Sequence, residues 1–340
     1  MAEFPIYGDA MRILLFAILG LVSLFATVAV AADLLSRFQK PRGAMIDVGG
    51  RSLRLVCEGP KSGQPVIWME AGAFSGAADF AALQQKLAAK GLRSCAYDRA
   101  GIGYSDPGPK PRDGNAIVKD LGALIAGSDE RGPFILMGHS MAGLYLRQFA
   151  VQNPDKVAGL VLLDAVTPEM IGLPGADVFV NRMTTLARLG SIAGSLGLTK
   201  PFYLMGDRVG LPAEGRAEKR RGFINGRQSR TAYAEVVSWR AAGEQALVAG
   251  PLSPDWPIAV ITAGPPSPQM DVWNEVRHAP ARESRAGFID NVDAASHTTM
   301  LGLTYGDRVV AGVEKVLAAL SATSAPASRS PAGPGSAPVG

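Results

Sequence analysis

The feature that most constrains this chain is a repeated alternation of short apolar runs with longer stretches of helical pattern. Ser52–Cys57, Val66–Glu70 and Leu92–Tyr97 read as strands, and Phe134–Met137, Gly159–Leu163 and Ile258–Thr262 as strands apolar on both faces. Between them Ala77–Lys90, Ala116–Ala126 and Gly143–Gln152 carry helical patterns. Alternation of this kind predicts an α/β fold, a mostly parallel sheet flanked by helices on both sides. In such sheets chemistry gathers in the loops at the carboxyl ends of the strands. Composition narrows the alternatives. A 340-residue chain that is 47% hydrophobic has ample material for a core. Two cysteines cannot build a disulfide-rich scaffold and form no CxxC pair, and three histidines leave few ways to a histidine-based metal site. A net charge of +4 over this length predicts no nucleic-acid partner.

Both ends differ from the middle. In the N-terminal segment 1–42, Ile13 to Ala32 carries no charge; as a helix it would reach roughly 30 Å, a bilayer's hydrocarbon thickness. It reads as a membrane anchor or as a cleaved signal ending near Ala29-Val30-Ala31. Arg37, Lys40 and Arg42 follow the span and only Arg12 precedes it, a bias that keeps the main domain cytoplasmic if the segment stays. The alternative is export. Residues 321–340 are almost entirely Ser, Ala, Pro and Gly, and such a stretch is expected to be a disordered tail. Within the middle, the chain from Thr167 to Trp256 separates two strands and is too long for a loop; it predicts a helical cap, 167–256, set into a core made of 43–166 and 257–320.

After the run ending at Met137 comes Gly138-His139-Ser140-Met141-Ala142-Gly143, then a helix. A serine at the tip of a tight strand-to-helix turn needs small neighbours and stands in front of a helix N-terminus, which favours developing negative charge. This elbow resembles the G-x-S-x-G of the α/β-hydrolase fold family. Tyr97-Asp98-Arg99-Ala100-Gly101-Ile102-Gly103-Tyr104-Ser105 is similar to the family's YDRxGxGxS stretch, and the resemblance runs from about Met45 to Leu320. Two departures stand out. Ala142 replaces the second glycine of the elbow, and Glu70-Ala71-Gly72-Ala73 stands where relatives carry His-Gly-x. The resemblance implies an oxyanion hole from the Met141 amide and that of Ala73, with Gly72 as the rival.

It also implies a base and an acid. A serine hydroxyl is a weak nucleophile without a base to take its proton. His139 is expected to point away from the serine, and His278 lies in a polar helical stretch. His297 follows Gly287–Val292, where the family places its base. For the acid, Asp271 follows the strand after the cap, Asp164 ends the preceding strand, and Asp290 and Asp293 are lesser alternatives. Asp98 and Arg99 read as braces of their own loop. Cys57 and Cys95 fall on strands that the family's order makes neighbours, so either a disulfide or two buried thiols fits, the thiols being the plainer expectation. The cap's basic run, Arg216 to Arg230, reads as a solvated helix face or as a surface resting on anionic headgroups, and Phe179, Phe202, Tyr203, Leu204 and Met205 as an apolar pocket wall.

The chemistry so implied is cleavage of an apolar ester or related acyl bond through an acyl-enzyme, with no metal or cofactor. A serine in place of the aspartate nucleophile argues against the epoxide hydrolases and haloalkane dehalogenases of the family. A cofactor-free haloperoxidase-like or C–C-bond hydrolase, and a non-catalytic membrane-tethered binding protein of the same fold, are the alternatives.

Overall fold

The computed structural model describes residues 6–204 and 209–324. Helix α1 (Ile6–Arg37) leads into an edge hairpin, β1 (Ala44–Asp47) and β2 (Ser52–Glu58). Then come β3 (Ile67–Glu70), α2 (Ala81–Ala89), β4 (Ser94–Tyr97), α3 (Gly114–Gly127), β5 (Phe134–His139), α4 (Ala142–Gln152) and β6 (Val157–Leu163). Four helices follow: α5 (Ala176–Ser195), α6 (Ala213–Ile224), α7 (Gly226–Val237) and α8 (Trp239–Ala249). The chain closes with β7 (Ile258–Ala263), α9 (Pro268–Glu283), β8 (Gly287–Val292) and α10 (Gly306–Ser324). The strands form one sheet in the order β1-β2-β4-β3-β5-β6-β7-β8; β3 to β8 run parallel, while β1 and β2 are antiparallel to their neighbours.

The continuous apolar runs follow from burial of both faces. Successive side chains point to opposite sides of a strand. Ile67, Met69, Ile135, Met137, Val161 and Ile261 face Leu83 of α2 and Val313 of α10. Trp68, Leu136, Leu160, Leu162 and Val260 face Leu121 of α3 and Phe149 of α4. Parallel strands covered on both faces have no solvent side, so the sequence shows no polar alternation.

Three expectations need correction. Cys57 and Cys95 stand opposite each other in the β2–β4 register, 4.0 Å apart at Cα, and are bonded as a disulfide, not buried thiols. The helix α10 continues through Ser324, so the tail does not begin at Ser321; the rest of that stretch lies outside the described residues. The middle of the insertion's basic run turns inward, while Arg216 and Arg230 stay exposed: Lys219 pairs with Asp79, Arg221 lies over Tyr104, and Arg220 lies over Tyr203.

Candidate active site

The carboxyl ends of β3, β5 and β6 converge under the inserted helices. At the end of β5 the backbone folds back sharply, and Ser140 takes φ 57°. The turn is pinned by Ser140 N–H donating to the Leu163 carbonyl (3.0 Å) and by the Ser140 carbonyl accepting from Gly143 (3.1 Å) and Val166 (2.9 Å). A Cβ at Gly138 would stand 2.7 Å from Leu146 Cδ1, which is why glycine precedes the elbow. Ala142, fully buried, occupies the other small position.

Left-handed φ is costly for a residue with a side chain and tends to persist where function requires it. Among the described residues it occurs at three non-glycine positions: Phe74 (63°), Ser140 (57°) and Asp164 (42°). They follow β3, β5 and β6, so all three mark the same end of the sheet.

His297 lies in the loop between β8 and α10, and its Nδ1 is 2.5 Å from Asp164 Oδ2. The other oxygen, Oδ1, accepts from Arg277 Nη1 of α9 at 2.8 Å. Burial would raise the Asp164 pKa; the His297 hydrogen bond and the Arg277 charge outweigh it and hold the carboxyl below its ordinary range. A carboxylate only accepts, so a neutral His297 carries its proton on Nδ1 and leaves Nε2 bare. Asp271, the first expectation for the acid, is exposed in the first turn of α9, and among the described contacts it makes none with His297. The distinction lies in where each strand ends: β6 releases Asp164 directly into the site, whereas the loop after β7 carries Asp271 out onto a helix. Asp290 pairs with Arg308, and Asp293 accepts from Asn291. His278, half-buried on α9, lies 3.5 Å from Thr262 Oγ1.

His139 does more than its sequence position suggests. Its Nε2 donates to the His297 carbonyl at 2.8 Å, and the two rings lie 4.5 Å apart. Burial pushes its pKa down to about 3, with the neighbouring His297 adding to the effect, so the ring is neutral. The elbow therefore holds the histidine loop by its backbone.

The loop after β3 closes the other side. A Cβ on Gly72 would lie 2.8 Å from Ser140 Cβ and 3.1 Å from His139 Nδ1, so the loop passes against the elbow. Among the described hydrogen bonds, the backbone amides of Gly72, Ala73 and Met141 have no acceptor. Arg99, fully buried, spends all five of its N–H groups here. Nε and Nη2 reach Glu235 of α7 (2.9 and 2.7 Å), Nη1 reaches Glu70 (2.7 Å) and the Ala71 carbonyl, and Nη2 also reaches the Gly72 carbonyl (2.8 Å). In a trans peptide the N–H points opposite to the C=O. Holding the Gly72 carbonyl thus turns the Ala73 amide to the other side of the loop. Glu70, the departure from His-Gly-x, also accepts from Tyr97, and its pKa is raised by burial, which Arg99 only partly offsets. Asp98 takes a different partner, Arg54 of β2. The signal for Arg99 is thus a single sequence oddity, the acid Glu70 at the start of the stretch that resembles His-Gly-x.

A cavity of about 280 Å³ lies between the sheet end and the insertion. Phe74, Ile102, Lys219, Phe223 and Ala232 are among its walls; Ser140 is not, but Phe74 adjoins Ala73. Of the apolar residues expected to line a pocket, Phe179 packs edge-on against Trp239 and Trp273 (5.6 and 5.8 Å). Phe202 is half exposed, and Tyr203 turns to the end of α1. The Leu204 side chain and Met205 lie outside the described residues. One cluster of ligand-type side chains, Cys57, Cys95 and Glu130, is close enough for a metal, and its sulfurs are bonded to each other.

With that geometry in view, similarity to known proteins places the chain. Residues 64–189 match the family model described as serine aminopeptidase, S33. An uncharacterized protein of Schizosaccharomyces pombe is 23% identical over 227 residues, covering 66% of this chain and 41% of the relative. A pyrethroid hydrolase of Sphingobium wenxiniae is 35% identical over 111 residues, 31% of this chain and 39% of that one. The chain thus spans half or less of the length of these curated relatives. A solved thermophilic esterase from Thermogutta terrifontis superposes with a TM-score of 0.58 at 20% identity, covering 82% of this chain and 98% of the other. The chain has the α/β-hydrolase fold, and its residues 64–189 resemble the serine aminopeptidase family.

Proposed function

We propose that this protein is a serine hydrolase that cleaves an apolar ester or related acyl bond. The observation that carries the reading is the contact of His297 Nδ1 with Asp164 Oδ2, in a loop whose His297 carbonyl is held by His139, the neighbour of a serine at φ 57°. Ser140 Oγ attacks the substrate carbonyl and passes its proton to His297 Nε2. Asp164 holds the imidazole's tautomer and stabilises the imidazolium. The Met141 and Ala73 amides receive the oxyanion. His297 then protonates the departing alcohol, and water, activated by the same base, releases the acid and regenerates Ser140. The cavity walls include Phe74, Ile102 and Phe223, and the charges that share them, Arg54 with Asp98 and Glu218 and Lys219 with Asp79, are paired among themselves; with the cluster of Phe179, Trp239 and Trp273 this favours an uncharged, apolar substrate. The pyrethroid hydrolase and the esterase among the relatives point the same way.

Helix α1 holds a stretch, Asp9–Arg37, long and apolar enough to cross a membrane, and we read it as an anchor. The Cys57–Cys95 disulfide favours an oxidising compartment for the main domain. The opposing charge bias is weakened, because Arg42 is paired with Glu58 and Glu218.

Hydrolysis of a chain-length series of p-nitrophenyl esters, run beside peroxide-dependent halogenation, tests the reaction class. Ester turnover that disappears in Ser140→Ala is expected. Halogenation without ester turnover would instead favour the haloperoxidase-like use of the same residues.

A further inference from the structure

The outer side of α5 is built unlike the rest of the insertion. Val178, Leu186, Leu189, Ile192 and Leu196 are each about half exposed or more, at 72%, 53%, 59%, 49% and 69%. Their spacing brings them to one broad helical face, while Ala187 and Gly194 on the opposite side are buried. The charges on that outer side are Arg182 and Arg188, both exposed. The one acidic residue of α5, Asp177, is paired with Arg240. An apolar helix face flanked by arginines with no free acid has the composition of a helix lying in the headgroup–acyl boundary of an anionic leaflet.

What covers this face is indicated by its neighbour. Past α5 the chain forms a short turn, Lys200–Leu204, that packs on the end of α1. Ala32 is fully buried there, Lys200 Nζ lies 2.5 Å from Asp33, and Gln39 donates to the Tyr203 hydroxyl at 2.6 Å. On both sides of this joint apolar side chains stay exposed: Leu35 and Phe38 at 53% and 83%, Leu198 and Phe202 at 49% each. The apolar band of α5 is therefore continuous with the helix that we read as crossing the membrane. Of the basic run of α6 and α7, Lys219, Arg220 and Arg221 are engaged with Asp79, Tyr203 and Tyr104, and Arg216 and Arg230 stay exposed.

We infer that the outer face of α5 rests in the leaflet from which α1 emerges, and that the site draws its apolar substrate from that leaflet. The inference rests on the reading of α1 as a membrane span. The seating of α5 does not depend on the identity of the nucleophile; the draw of substrate from the leaflet rests on the proposed hydrolase.

The test uses the full chain reconstituted in phosphatidylcholine–phosphatidylglycerol vesicles. Because Cys57 and Cys95 are bridged, a thiol introduced by Leu189→Cys, Leu196→Cys or, as a control at the opposite end of the sheet, Lys61→Cys takes a bimane label selectively. Labels at 189 and 196 are expected to be quenched by lipids carrying a spin label in the acyl chain and shielded from iodide, and the label at 61 the reverse. Labels at 189 and 196 as open to iodide as that at 61 would overturn the inference. So would labels shielded from iodide but untouched by spin-labelled lipid, which would put a second copy of the chain on this face.

A second measurement follows function. The pair Leu189→Glu and Ile192→Glu is expected to lower hydrolysis of a bilayer-embedded long-chain ester about tenfold while leaving water-soluble p-nitrophenyl acetate unchanged. Equal loss on both esters would count against the inference. Fluorophosphonate labelling of the same vesicles separates the two readings. Lipid-quenched labels on a chain that does not take the fluorophosphonate would sink the serine hydrolase and leave α5 in the leaflet.

Discussion

Two buried arginines tie the inserted helices to the sheet, and they do so in different places for different ends. Arg99, just after β4, joins Glu70 of the sheet to Glu235 of α7. Arg54, on β2, joins Asp98 to Glu218 of α6, which also receives Arg42 from the segment after α1. Each is almost fully buried, and each bridges one core carboxylate and one glutamate of the insertion. Burying such charges is expensive, and the cost is offset only when every donor finds a partner. The difference lies in what else they hold. Arg99 also holds the carbonyls of Ala71 and Gly72, so it orients the loop beside Ser140. Among the described contacts Arg54 makes none with that loop; it shares Glu218 of α6 with Arg42, in the segment that follows α1. The same chemistry braces the loop beside Ser140 in one case and joins α6 to the edge hairpin in the other.

This contrast can be broken by experiment. Of the two arginines the larger effect is expected from Arg99→Lys, since an ammonium cannot hold two carboxylates and two carbonyls at once. If the Ala73 amide receives the oxyanion as proposed, this substitution should lower kcat about a hundredfold with little change in KM. The parallel change Arg54→Lys should leave kcat within about twofold and cost about 3 kcal/mol of stability in urea unfolding, the range for breaking a buried ion pair. Equal kinetic losses from the two variants would erase the distinction drawn between the two arginines.

Gly72→Ala sharpens it further. The added methyl meets Ser140 Cβ at 2.8 Å, so loop or elbow must shift. A roughly tenfold loss in kcat with near-native melting temperature is expected, and unchanged kcat would place the loop's function elsewhere.

The smallest effect concerns acid stability. His139 is held near pKa 3 in the fold against an ordinary 6.5, because burial penalises its charged form. Between those values the unfolded chain binds more protons, so stability falls as pH drops, by about 1.4 kcal/mol per pH unit. Asp164, whose folded pKa is depressed, adds a term that is present at neutral pH and lost as pH falls through that lowered value. Urea midpoints measured from pH 7 to 4 should therefore decline in the wild type and decline less steeply in His139→Gln. Parallel slopes would contradict the burial account.

Much of this arrangement was legible before any coordinates. The runs at Ile67, Phe134, Gly159 and Ile258 are apolar throughout because both sheet faces are covered, and that signal is local. The elbow was legible because small residues and a following helix are written consecutively around Ser140. The acid was not. Asp164 and Asp271 both follow strands, and what separates them is a left-handed φ at 164 and the start of a helix just before 271. Neither is visible in residue type. The Arg99–Glu235 pair spans 136 residues, beyond any local pattern, and the hint at Glu70 had no partner until the fold supplied one. The edge strand β1, short and largely exposed, carried too little apolar signal to be read.

The account stands or falls on the pairing of Ser140 with a His297 held by Asp164. Its most direct test is the second-order rate of fluorophosphonate labelling in the wild type, Ser140→Ala, Asp164→Asn and Asp271→Asn. The wild type and Asp271→Asn should label at the same rate, Asp164→Asn about a thousandfold or more slowly, and Ser140→Ala not at all. Labelling of Ser140→Ala at the wild-type rate, or a loss confined to Asp271→Asn, would contradict it.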